Sequence, residues 1–231
     1  GDFLKAIDFH KNAIKIDPNF VEAYVNLSIG YRELFNIDDA LLSLDKALRI
    51  KPNYEIALIN KAILLSDLGK YRDSIDIYNK ILKINPKNYD AHTNLGILYL
   101  SQYNFLSGWR HYGERFKTKF YLNEIKTNLK QWDGIEKINS ILILNEQGIG
   151  DQILYGSIVK ELQVFIKNIF IYCDPKVEKL FKNSFKDLNV IVTNKKISDS
   201  DLINIDKYLP IGKVCEYLRK NISDFKKTKF P

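Results

Sequence analysis

The pattern of apolar positions along the chain changes character near residue 138. Before it, apolar residues recur at i, i+3 and i+4, the spacing that lines one face of an α-helix. The stretches VEAYVNLSIGYREL (21–34), IDDALLSLDKALRI (37–50), EIALINKAILLSDL (55–68) and YRDSIDIYNKILKI (71–84) predict four such helices. From 138 onward, short continuous apolar runs alternate with helical stretches. SILIL at 140–144 is followed by a helix from about Asp151, IFIYC at 169–173, a helix over PKVEKLFKNSF, LNVIV at 188–192 and DLINI at 201–205. Short unbroken apolar runs suit strands covered on both faces, and their alternation with helices predicts a doubly wound parallel sheet with SILIL at its centre.

The helical part repeats. Pro18, Pro52 and Pro86 lie 34 residues apart, and Asn26, Asn60 and Asn94 keep the same register, as do Ala6, Ala40 and Ser74. Each unit is two helices stopped by a proline that cannot continue the second one, with a small residue where the two must approach closely. The pattern resembles the tetratricopeptide repeat, whose signature positions here are Tyr24, Leu27, Tyr31, Ala40, Leu44, Ala47 and Pro52. It departs at Lys61, where that family has an apolar residue, and at Ser28 and Ala62, where it prefers glycine. Residues 89–120 form a further unit with His92, Leu95, Gly96, Tyr99, Gly108 and Tyr112 but no closing proline. Residues 1–20 supply only a second helix, and with no methionine in the chain, Gly1 is not expected to be the natural start.

Solenoids of this kind stack neighbouring units and present a concave groove, so the resemblance implies a peptide or protein partner. Asn26, Asn60 and Asn94 fall on equivalent faces of successive first helices. A carboxamide offers a donor and an acceptor to an extended backbone, as in the similar ladder of O-GlcNAc transferases; the competing reading is a generic surface or interhelix polar contact. His10, His92 and His111 share no metal-ligand spacing, and His92 occupies a packing position.

Beyond the first expected strand lies EQGIGDQ, residues 146–152. In a doubly wound sheet ligands bind outside the carboxyl ends of the strands, where helix amides favour an anion. Gly148 and Gly150 would permit a tight turn and close approach of a ligand, and Gln152 follows at the same turn. A dinucleotide fingerprint would need a third glycine where Ile153 stands, and Asp174 comes late for a ribose partner. Asp151 is either a helix cap or a base at a ligand-binding turn.

WDG at 132–134, ILILNEQGIGDQI at 141–153 and the preceding GWRHYGER resemble bacterial proteins that join tetratricopeptide repeats to a domain similar to glycosyltransferase family 9, the ADP-heptose:lipopolysaccharide heptosyltransferase group. That resemblance implies an inverting, metal-independent enzyme with no cofactor and a GT-B fold of two facing Rossmann-like halves. Asp151 of the Gly150–Asp151 pair would be the base, and the nucleotide-sugar donor would sit mainly on a second half outside these residues. The fold expectation is thus a tetratricopeptide-type α-solenoid at 1–120, a connecting segment at 121–137 and a Rossmann-like α/β half-domain at 138–231. The functional expectation is sugar transfer to a protein or glycan acceptor, with the fragment alone inactive; the alternative is a non-catalytic interaction adaptor.

Composition narrows this only a little. The net charge of +7 is spread over both halves without an arginine-rich or aromatic stripe, which speaks against nucleic acid. No apolar run approaches the roughly 18 residues of a membrane span. Cys173 and Cys215 sit in apolar stretches, fit no metal-ligand spacing and are expected to be reduced, as in the cytoplasm. The aromatics Trp109, Tyr112, Phe116, Phe120, Tyr121 and Trp132 are too many for a free linker and are expected to pack.

Overall fold

The computed structural model describes residues 2–118, 127–145, 148–186, 189–193 and 202–226. It divides into two compact units, Gly1–Ser101 and Gln102–Pro231. In the first unit, helices α1 (Phe3–Ile16), α2 (Val21–Glu33), α3 (Ile37–Ile50), α4 (Glu55–Asp67), α5 (Tyr71–Ile84) and α6 (Tyr89–Ser101) follow one another. The second helix of each repeat closes with a backbone bond from Asp17, Lys51 or Asn85 to the carbonyl four residues back, and the following proline then forbids continuation. Each first helix ends in a turn with left-handed backbone at equivalent positions. One is Gly69 (φ 75°), but the others are Phe35 (φ 58°) and Tyr103 (φ 59°), where a side chain carries a strain of roughly 1–2 kcal/mol.

Helices meet through small side chains. Ala23, Ala40, Ala47, Ala57, Ala62 and Ala91 are fully buried, and Leu44, Tyr78, Ile81 and Leu95 fill the space between them. The three departures from the repeat pattern have local explanations. Ala62, where glycine is usual, is packed so that its carbonyl accepts the hydroxyl of buried Ser74 at 2.7 Å, which ties α5 to α4. Buried Ser28 donates to the Val25 carbonyl of its own helix at 2.6 Å. Lys61 occupies the position of buried Leu27 and Leu95, but its ammonium emerges to pair with Asp45 of α3 at 2.6 Å.

The second unit comprises α7 (Phe105–Tyr112), a 3-10 turn (Gly113–Lys117), β1 (Lys130–Gln131), β2 (Ser140–Leu144), α8 (Ile149–Val159), β3 (Asn168–Tyr172), α9 (Pro175–Ser184), β4 (Val190–Thr193), β5 (Lys207–Pro210) and α10 (Val214–Leu218). The sheet is parallel throughout, in the order β1-β5-β2-β3-β4, with SILIL as the central strand. All five residues of β2 are buried: Ile141 and Ile143 join a core with Val159, Ile171 and Phe181, while Leu142 and Leu144 pack on the opposite face with Ile205. Burial on both faces is why that stretch reads as an unbroken apolar run.

Two expectations need correction. DLINI is not a strand: Leu202–Ile205 closes a turn that drops Ile205 onto Leu142 and Leu144, and the strand is the KYLP that follows, Lys207–Pro210. Its half-buried Lys207 and Tyr208 hide it from a search for apolar runs. The helix after β2 begins at Ile149 with Gly148 as N-cap, so Asp151 is the third helical residue and not the cap. Within the connecting segment, β1 pairs with β5. Of the junction aromatics, Trp132 and Phe116 are buried and the Trp109 indole donates to the Arg219 carbonyl at 2.8 Å; Phe120 and Tyr121 lie outside the described residues.

The WDG run is a structural device. Trp132 sinks into the core and donates to the Glu136 carbonyl, and the Asp133 carboxylate accepts from the Ile135 and Glu136 amides, both at 2.9 Å. Gly134 sits at φ 80°, and a Cβ there would lie 2.2 Å from the Tyr217 ring. Gly134→Ala combines a left-handed penalty of about 1–2 kcal/mol with that collision, whereas Gly69→Ala, with φ 75° and nothing within 4 Å, carries the backbone penalty alone. Urea unfolding followed in each unit is expected to show a loss of stability at least about twice as large for Gly134→Ala, and equal losses would refute the ring contact.

Asp206 fastens the sheet at the start of β2. Its carboxylate accepts from the Asn139 and Ser140 amides at 2.8 and 2.9 Å, which holds its pKa below the ordinary 3.8; the two amide bonds are the largest causes. A folded pKa below the unfolded one means that the folded chain binds fewer protons, so this stabilisation is complete above the ordinary value and is lost as pH falls through the lower, folded one. The melting temperature of Asp206→Ala is expected to lie below wild type at neutral pH. The gap should close as the buffer is acidified below about pH 4. A gap independent of pH would show that the carboxylate's charge is not involved.

Candidate functional site

In the first unit the first helices expose one narrow stripe each. On α2 the exposed positions are Glu22, Asn26, Ile29 and Glu33, an i, i+4, i+7, i+11 series that follows one face of the helix. The same positions on α4 and α6 place Asn60 and Asn94 beside Asn26 in the repeat register. None of the three asparagines is buried between helices. The side-chain nitrogens of Asn60 and Asn94 donate to the Ile56 and Asp90 carbonyls of their own helices at 2.8 and 3.0 Å, which leaves each Oδ1 as the outward acceptor. Helix α2 touches α4 and α4 touches α6, and an Arg32–Asp67 ion pair at 3.0 Å bridges the first two, so the stripes form one continuous face.

A second row lies beside the first and has no counterpart in the sequence reading. Ile29, Ile63 and Ile97 stand three residues after each asparagine; Ile29 and Ile97 are 41% and 51% exposed and Ile63 is half-buried. Apolar residues at helical spacing read as core, and only their exact 34-residue recurrence beside a polar row could have marked these. An open hollow of about 400 Å³ beside this unit's α3–α4 contact is lined by Asp45, Leu48, Arg49 and Lys61 and is crossed by the Lys61–Asp45 pair already described. His92 Nε2 lies 3.2 Å from the Pro86 carbonyl, which accepts from it in the Nε2–H tautomer and anchors the turn before α6.

In the second unit the expected turn lies where ligands bind in parallel sheets, beyond the carboxyl end of β2. Asp151 is exposed in the first turn of α8, and its carboxylate folds towards Gly148: a Cβ on residue 148 would meet Oδ2 at 2.8 Å. The exposed Asp151 side chain could turn away from such a Cβ, and at φ −87° left-handed freedom is not used, so nothing in the structure demands a glycine at 148. Around Gly150 nothing lies within 4 Å of where a Cβ would stand, so its surface is open. Gln152 is buried, and its Oε1 accepts the Asp174 amide at 3.0 Å, which joins the turn after β2 to the turn after β3. Asp174 in turn caps α9 through a bond from the Lys176 amide at 2.8 Å. Glu146 and Gln147 lie outside the described residues.

Cys173 and Cys215 are buried thiols outside any disulfide, and burial raises the Cys173 thiol to about 11, which keeps it protonated and unreactive at neutral pH. Among the described residues no group of three or more His, Cys, Asp or Glu could hold a metal ion, and no helix is long and apolar enough to cross a membrane.

A family model of the tetratricopeptide repeat matches residues 21–54 and 56–88, and a second model of the same repeat matches 77–110. Similar solved structures include the MamA protein (26% identity, 51% of this chain and 64% of that one, TM-score 0.44). Others are a tetratricopeptide repeat protein from Parabacteroides merdae (25%, 55% and 49%, 0.46) and a thermophilic TPR protein in Thermus thermophilus (18%, 51% and 66%, 0.47). The chain spans less than two thirds of the length of each of these. Comparison with curated proteins finds no match. The matched segments, the 34-residue register and the paired helices agree, and residues 21–110 are tetratricopeptide repeats.

Proposed function

We propose that the repeats hold an extended segment of a partner protein across the first helices, with Asn26, Asn60 and Asn94 as backbone-reading contacts. The observation that supports this is the recurrence of three unburied asparagines at equivalent positions of touching helices, two of which, Asn60 and Asn94, turn Nδ2 to their own helix and keep Oδ1 as an acceptor for the N–H groups of a bound strand-like chain. Replacing all three asparagines by alanine leaves the packed alanine and leucine core untouched. The triple variant is expected to keep its melting temperature and to lose partner binding by about tenfold or more in a pull-down titration or calorimetry, at roughly 0.5–1.5 kcal/mol per lost bond. Unchanged affinity would sink the peptide-clamp reading and leave the asparagines as surface residues.

The second unit supports a further reading, that it is the Rossmann-like, acceptor-side half of an inverting glycosyltransferase, with the domain limits 1–120, 121–137 and 138–231. What favours it is the strand order. From β2 the chain adds β3 and β4 on one side, then crosses to β5 on the other, so the order reverses at β2 and Asp151 stands exposed just beyond that point. In this reading the acceptor hydroxyl passes its proton to the Asp151 carboxylate as its oxygen bonds to the anomeric carbon, and the nucleoside diphosphate departs with the electrons of the broken bond. The amides around Gly148 and Gly150 would approach the substrate, Gln152 would hold the turn in place, and the donor would be bound mainly by a second half. No cofactor or metal enters this scheme. The competing reading is an adaptor in which the sheet only packs.

Because Gly148 is the N-cap, Asp151→Asn removes charge without removing the cap. In a protein carrying both catalytic halves, single-turnover sugar transfer by Asp151→Asn is expected to fall by roughly 10²–10⁴, with acceptor affinity and melting temperature nearly unchanged. A variant that keeps most of the wild-type rate would eliminate the base and favour the adaptor.

A further inference from the structure

The face proposed to hold a partner is chemically unlike the rest of the chain. Helices α2, α4 and α6 together carry five carboxylates and only two cations, Arg32 and Lys61. Both cations are already engaged, Arg32 with Asp67 at 3.0 Å and Lys61 with Asp45 at 2.6 Å. The second helices α1, α3 and α5 carry eight cations against six carboxylates. In a chain of net charge +7 the repeat thus segregates charge, with its acids on the helices that bear the asparagine row.

The acids flank the row at fixed places. Glu22 and Asp90 stand four residues before an asparagine, and Glu33 and Asp67 stand seven after one. Between them run the isoleucines, Ile29 and Ile97 exposed and Ile63 half-buried. A ligand lying across the three helices would therefore meet an amide row and an apolar row at its middle and carboxylates along both margins. Anionic or phosphorylated segments would place like charges together, at a cost that rises as water is displaced. Extended segments with alternate apolar side chains and lysines or arginines between them satisfy all the rows at once, because successive side chains of a strand point to opposite sides and long basic side chains can reach the margins.

Resting on the peptide-clamp reading, we infer that the occupant of this face is a basic, apolar-alternating extended segment of a partner protein, selected by Glu22, Glu33 and Asp90 at the margins and by Ile29, Ile63 and Ile97 at the centre. The charge segregation carries the choice of a cationic ligand, and the isoleucine row, exposed at Ile29 and Ile97, carries the choice of an apolar alternation within it.

The test uses the 231-residue chain and three fluorescent peptides of equal length, with the same alternate leucines and with lysine, glutamine or glutamate between them. Fluorescence anisotropy at low and high salt gives the affinities. The lysine peptide is expected to bind on the order of tenfold more tightly than the glutamine peptide at low salt, with the glutamate peptide weakest and the advantage shrinking at high salt. The triple variant Glu22→Gln, Glu33→Gln, Asp90→Asn is expected to bring the lysine peptide down to the glutamine one without changing the glutamine peptide's affinity. Equal affinity of all three peptides, or preference for glutamate, overturns this inference while leaving the clamp standing. Binding that survives the asparagine triple variant unchanged overturns the clamp, and with it this inference. A lysine advantage that persists in the charge-removed variant places the attraction elsewhere on the chain and also overturns it.

Discussion

Helix axes in the first unit come close only because the contact residues are one carbon long. Ala40, Ala47, Ala57, Ala62 and Ala91 are fully enclosed, and any larger side chain at these positions would have to push apart two elements that are each packed on a further neighbour. Small residues recur every 34 residues at three of these places, Ala23/Ala57/Ala91, Ala40/Ser74 and Ser28/Ala62/Gly96, while Ile81 stands in the register of Ala47, and the first helices accordingly present equivalent positions outward. The exposed stripe, and with it the asparagine and isoleucine rows, is a consequence of where the alanines are. Ser74 shows how tight the constraint is: a hydroxyl fits at an alanine position only because the Ala62 carbonyl across the contact accepts its proton.

Much of this was legible from sequence, for a physical reason. Periodicity reports burial directly, and a proline after each second helix marks an end that no packing can override, so the helices over 37–50 and 71–84 begin and end where the pattern placed them. The central strand was equally plain, because a strand covered on both faces is apolar at nearly every position, here at all but Ser140. What escaped detection were elements whose identity depends on distant partners. The edge strand β1 is two exposed residues given strand form only by pairing with β5, and β5 itself carries a lysine and a tyrosine at its half-covered margin. DLINI had the composition of a strand but lies in a turn, since its isoleucine is needed beneath Leu142 and Leu144.

The candidate residues divide in the same way. The asparagine row followed from arithmetic on the repeat, but the direction of its acceptors depends on backbone carbonyls four residues back, which spacing does not reveal. At the turn beyond β2, residue types marked Gly148, Gly150 and Gln152 as one candidate ligand turn and left Asp151 open between cap and base. Their surroundings differ: Asp151 faces solvent, Gly148 gives room to its carboxylate, and Gln152 is directed inward to the next strand's end. The run WDG, which helped to suggest an enzyme family, is occupied in shaping the edge of the sheet, with Gly134 against Tyr217 and Asp133 closing its own turn.

The bond from the Asp174 amide to Gln152 is asymmetric in what it asks of the two positions. One partner is main chain, present in every residue except proline, while the other is a single side-chain carbonyl reaching out of a buried site. Substitution at 174 by any residue but proline therefore keeps the bond to Gln152, although it costs the cap of α9, whereas substitution at 152 removes the bond itself. Position 174 has its own side-chain duty, the cap of α9 through the Lys176 amide, so the two turns are held by one main-chain and two side-chain groups.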